Sequence, residues 1–235
     1  MSAPYVGPPR TVILGSVGQS QSIRVSQGIQ HNSDGLAWFA AIKTWLVRAH
    51  GVVIEIPNVG SAGKPGDNRN WGVGGSGVST PVAAADSWQP GAASGYRAAA
   101  LTGLAAAGVT HCEVTFGTED ANVGATAQHY HDGLKSLVDA IVALGIKCMV
   151  NHCPNTQSSP RDTVSAGWDS YIVAEVDNVN VFEGVNFYSA ILMNGVGATF
   201  GWWDDSDQSH QNLAGNWFFA RRLIGRYHQT GWLLK

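Results

Sequence analysis

Five short apolar runs alternate along the chain with longer segments of helical periodicity. The runs TVILGSV (11–17), VVIEI (52–56), VTHCEVTF (109–116), IKCMVN (146–151) and VNVFEGV (179–185) are rich in β-branched residues and too short for helices, so they predict strands. Between the first two, Leu36, Phe39, Ala40, Ile42, Trp45 and Leu46 recur at helical spacing, with Asp34 placed to cap the helix and Gly51 to close it. Further helices are expected over 96–108, 128–145, 163–176 and 211–228. Alternation of this kind builds an α/β domain with a mostly parallel five-stranded sheet covered on both faces. With no internal repeat and no dividing linker, residues 1–235 read as one domain.

The polar positions cluster where such a sheet binds ligands, beyond the carboxyl ends of its strands. GQSQS (18–22) follows the first strand and GTEDAN (117–122) the third. A stretch from Pro57 to about Gln89, dominated by Gly, Ser, Asn and Pro, follows the second; a loop of that length in a compact domain is usually functional. Near the C-terminus Asp207 and His210 stand three positions apart, just ahead of the last helix. Acyl transfer needs a nucleophile, a base, a group that orients the base and donors for the oxyanion. Ser20, at the end of a buried strand, is the candidate nucleophile, with Ser16 and Ser22 as rivals. His210 is the candidate base and Asp207 its orienter.

Composition narrows the classes. Charged residues are only 13% of the chain, about half the usual share. A net charge of -3 with no basic run argues against nucleic acid. No apolar stretch reaches the ~18 residues of a membrane span, and the N-terminus lacks the basic flank and apolar core of a secretion signal. The expected location is cytoplasmic or virion-associated, or secreted with the signal already removed. Cys112, Cys148 and Cys153 are too few and too unevenly spaced for a disulfide framework or zinc site. His129 and His131, two apart at a helix start, would point in different directions, so no metal is expected. His152, just after the fourth strand, is expected to be structural.

Four blocks in order then resemble the SGNH (GDSL-type) esterase and acetylhydrolase family. Gly18-Gln19-Ser20 is similar to its first block, usually Gly-Asp-Ser. Asn70-Trp71-Gly72-Val73-Gly74-Gly75-Ser76 is similar to its glycine block, and Gly117-Thr118-Glu119-Asp120 to the third, usually Gly-Thr-Asn-Asp. Asp207-Gln208-Ser209-His210-Gln211-Asn212 is similar to the last, usually Asp-x-x-His-Pro-Asn. The resemblance implies a three-layer α/β/α sandwich of flavodoxin-like type. It makes Ser20 the nucleophile, His210 the general base, Asp207 its orienter, and the Ser20 amide one oxyanion donor. A second donor would be the amide of Gly75, with Gly63 in NVGSAG as the competitor. Glu119 stands where the family carries a donating asparagine; either Glu119 donates, or Asn122 or Asn155 takes over.

These readings point to a serine esterase that needs no cofactor and acts on a small-molecule or glycan ester, acetyl above all, through an acyl-serine intermediate. Trp71, Trp202 and Trp203 are candidates to stack on a sugar ring or hold an acyl chain, against packing beneath the loops. The alternative is a catalytically weak or inactive protein of the same fold that binds carbohydrate or coats a virion. The sequence leaves the oligomeric state open.

Overall fold

The computed structural model describes residues 5–19, 33–55, 71–153, 161–187 and 213–235. Five strands form one sheet: β1 (Arg10–Gly18), β2 (Val52–Glu55), β3 (His111–Gly117), β4 (Lys147–Cys153) and β5 (Val181–Asn186). The order is β2-β1-β3-β4-β5 and every pairing is parallel. This is the flavodoxin-like order, in which the chain first builds outward from β1 on one side and then returns to the other. The carboxyl ends of β1 and β3 therefore flank the point where strand order reverses.

Among the described residues the α-helices are α1 (Ser33–His50), α2 (Tyr96–Ala106), the short α3 (Thr118–Asn122), α4 (Ala127–Val142), α5 (Arg161–Glu175) and α6 (Leu213–Thr230). All seven residues of β3 are buried, as expected of a central strand covered on both faces. One core joins Val17, Val114, Phe116 and Val150 of the sheet to Leu104 of α2, Leu134 and Leu137 of α4, and Trp168 of α5. The other joins Val12, Leu14, Met149 and Phe182 to Leu46 of α1, Leu223, Ile224 and Tyr227 of α6, and the C-terminal Trp232. The sandwich thus has three layers. Arg10 ties the last turn down, donating to the carbonyls of Leu233 at 2.7 Å and Lys235 at 2.9 Å.

Local sequence explains most boundaries. Thr126 accepts the His129 amide and so satisfies a free donor at the start of α4, which then buries Tyr130, Leu134, Leu137, Val138 and Ile141 along one stripe. The helix α1 begins one residue before Asp34 rather than after it. Between β4 and β5 the register is irregular, and the buried Asn151 fills the gap. Its amide donates to Thr115 Oγ1 at 3.2 Å and its carbonyl accepts from the Val185 amide at 2.8 Å. Cys112 and Cys148, register partners on β3 and β4, are buried free thiols, as their apolar surroundings in the sequence suggest. Among the described residues, no helix is long and apolar enough to cross a membrane.

Candidate active site

The end of β1 is locked to the start of α3. Val17 and Gly18 pair with Val114 and Thr115, and the Gln19 amide continues the ladder by donating to the Thr115 carbonyl at 3.2 Å. The Gln19 side chain is buried and faces the turn that opens α3. Its Oε1 accepts from the Thr118 amide at 3.0 Å and from the Glu119 amide at 3.4 Å, while Nε2 donates to Thr118 Oγ1 at 2.6 Å. Gly117, at the N-cap of α3, has no side chain that could bond those amides. Gln19 does so from the neighbouring strand.

The long polar stretch following β2 returns to the same edge. The Trp71 amide donates to the Ser16 carbonyl at 2.9 Å and the Val73 amide to the Gly18 carbonyl at 2.8 Å, so Trp71 to Val73 run beside the last residues of β1. Beyond them the chain turns at Gly75, whose φ of +68° favours glycine, and Gly75 is exposed. The next residues are held tightly. Ser76 Oγ donates to the Val73 carbonyl and accepts from the buried Trp88 indole at 2.8 Å. Asp120 Oδ1 accepts from the amides of Val78 at 2.9 Å and Ser79 at 2.7 Å. Burial raises the Asp120 carboxyl from 3.8 to about 6, against the opposing hydrogen bonds of Ser79 and Val78. Residues 71–89 are thus a packed part of the domain that borders the edge of the site.

The sequence-based candidates fare differently. Trp71 is only 4% exposed: it packs in the first core, with its indole lying over Gly103 of α2. That corrects its expected place as a stacking surface, because a buried ring presents no face to a ligand. Glu119 is partly exposed, and its Oε2 accepts from Asn122 Nδ2 at 3.3 Å. The pair meets as carboxylate acceptor and amide donor, so Asn122, one proposed substitute donor, is directed at Glu119. His152 is buried, 3.2 Å from the Tyr130 hydroxyl through Nδ1 and stacked on Trp168; burial lowers it to about 3. It is a neutral core histidine. His131 reaches Ser170 and Glu175 of α5, whereas His129 is exposed. Ser20, Gly63, Asn155, Trp202, Trp203, Asp207 and His210 lie outside the described residues.

No family model matches the sequence. No curated protein matches it either. Solved structures do. A family 3 carbohydrate esterase from Talaromyces cellulolyticus superimposes with a TM-score of 0.59 at 16% identity, over 93% of this chain and 97% of the other. A family 3 carbohydrate esterase from Clostridium thermocellum gives 0.60 at 12% identity, over 94% and 96%. A member of the lipolytic G-D-S-L family from Veillonella parvula gives 0.56 at 13%, over 94% and 100%. The fold is that of the SGNH esterases. Within an SGNH fold, the edge formed by Gln19, Thr118, Glu119 and the Trp71–Ser79 segment is where three of the four sequence blocks meet. The sequence alone assigns no task to Gln19 or to Asp120. The polar character of both was visible, but their partners lie about a hundred and about forty residues away in the chain.

Proposed function

We propose that this chain is a serine esterase of SGNH type that removes short acyl groups, acetyl above all, from a carbohydrate or other small alcohol. The observation that supports it most is the joining of the first, second and third sequence blocks at the switch point of the sheet. Gly18 accepts from Val73, and Gln19 bonds Thr118 and Glu119. Gly75 follows Val73 by two residues, as Ser20 follows Gly18, which favours Gly75 as the partner of the Ser20 amide in the oxyanion site.

In this reading Ser20 Oγ attacks the acyl carbon while His210 takes its proton and Asp207 orients the ring and stabilises the imidazolium. The amides of Ser20 and Gly75 bind the oxyanion. Collapse of the tetrahedral intermediate expels the alcohol, which receives the proton from His210 and leaves acyl-Ser20. Water, deprotonated by His210, then releases the acid and regenerates the serine. The carbohydrate esterases of the same fold support a saccharide as the alcohol, and Trp202 and Trp203 are the aromatic candidates for holding it.

The test is hydrolysis of p-nitrophenyl acetate by the full chain and by Ser20→Ala. Turnover that disappears with the hydroxyl supports the enzyme. One observation favours a second reading: Glu119 meets its neighbour as an acceptor at the position where the family carries a donor. Binding of acetylated oligosaccharides by both proteins, with turnover by neither, would identify a carbohydrate-binding protein that kept the fold and lost the chemistry.

A further inference from the structure

The capping of α3 by Gln19 raises a question of charge. A carboxylate would be the stronger partner for two backbone amides at a helix start, both as an acceptor and through its charge. The chain uses an amide instead. The first turn of α3 already carries Glu119 and Asp120, and Asp120 is fully buried. A carboxylate at 19, in a position only 1% exposed, would be a desolvated third acid beside that turn, bonded to the amide of Glu119 itself. The neutral amide keeps both amide contacts through Oε1 and adds a donor that reaches Thr118 Oγ1 at 2.6 Å.

We propose that Gln19 is a positioning residue matched to Glu119: it fixes the backbone next to Ser20 against the first turn of α3, and its neutrality is required because Glu119 is acidic. This rests on the esterase reading above. Gln19 is the chain neighbour of Ser20, and the amides it holds belong to Thr118 and to Glu119 itself. The clamp therefore ties the residue that precedes Ser20 to the third block. It acts through the geometry of the reacting groups, so its loss belongs in kcat rather than in KM.

The experiment is a double-mutant cycle in the full chain with Gln19→Glu, which is nearly isosteric, and Glu119→Gln. The cost of burying a carboxylate at 19 is common to both backgrounds and cancels, leaving the like-charge interaction. With p-nitrophenyl acetate, Gln19→Glu alone is expected to lower kcat about tenfold through displacement of the clamped backbone, with KM within about twofold. On top of Glu119→Gln the same change should cost about threefold or less. Thermal melting should show the same rescue. An equal cost in both backgrounds overturns the matching, since shape and hydrogen bonding alone would then explain the residue; a loss confined to KM overturns the positioning role. Should Gln19→Glu alone not fold, the double variant decides: folding with turnover supports the pairing, and failure to fold overturns it. A wild-type chain without Ser20-dependent turnover refutes the esterase reading and the positioning role together, while the melts still judge the charge match.

Discussion

Replacing Asp120 by Asn should make the protein more stable, and only above about pH 4. The carboxyl is fully buried, with Oδ1 bonded to the amides of Val78 and Ser79. Its Oδ2 and the Ser79 hydroxyl are both buried, close enough for Ser79 to favour the charged carboxylate but with no well-formed hydrogen bond. Burial raises the folded-state value from 3.8 to about 6, a difference equivalent to about 3 kcal/mol. The folded protein therefore holds this proton more tightly than the unfolded chain. Stability from the group is complete below 3.8, drains away as pH rises through about 6, and is absent above it. Asparagine keeps the acceptor for Val78 and Ser79, places a donor near the Ser79 hydroxyl, and has no charge to desolvate. The assay is urea unfolding of both proteins by tryptophan fluorescence from pH 4 to 8. His111, lowered to about 4 chiefly by burial, and His152, lowered to about 3, contribute stability that is whole above 6.5 and lost as pH falls. Both proteins share that acid limb, so it cancels in the difference. The Asn variant should lead by up to about 3 kcal/mol at pH 7.5, with the lead vanishing near pH 4. A difference that does not change with pH, or an Asn variant less stable at pH 7.5, would refute the reasoning.

Other outcomes follow from single contacts. A Cβ added at Gly103 would collide with Trp71 Nε1. Gly103→Ala should therefore lower stability by about 1–3 kcal/mol despite alanine's better helix propensity; a raised melting temperature would show that the indole yields without cost. Glu119→Asn places an amide donor where the carboxylate accepts from Asn122, and should raise kcat on p-nitrophenyl acetate by about tenfold or more, since one oxyanion donor is worth about 10²–10³. A tenfold fall would instead assign Glu119 chemistry of its own.

The elements legible in the sequence were those whose signal is local. TVILGSV marks β1 to within a residue at each end, and the stripe of apolar positions in 128–145 marks α4. The short α3 was not legible, because five residues following a glycine, four of them polar, carry no periodicity, and their helical start is satisfied by Gln19 from another strand. The stretch from 57 to 89 reads as loop by composition, yet Trp88, Ser76 and Asp120 pack its second half into the domain. Trp71 shows the same limit: a tryptophan among glycines looks the same whether its ring meets solvent or lies over Gly103. At the candidate site, the sequence named the blocks but not their joints. Relative to the family pattern, the acid and amide are exchanged between the first block and the third. That exchange acquires meaning only once Gln19 and Glu119 are seen in contact.

The central claim is that Ser20 is an activated nucleophile, and a fluorophosphonate probe tests it most directly. Incubation of the full chain followed by peptide mass spectrometry should find one phosphonyl adduct on Ser20, absent from Ser20→Ala and strongly slowed by His210→Ala. An intact Ser20 after prolonged exposure, or labelling unaffected by loss of His210, would contradict the account.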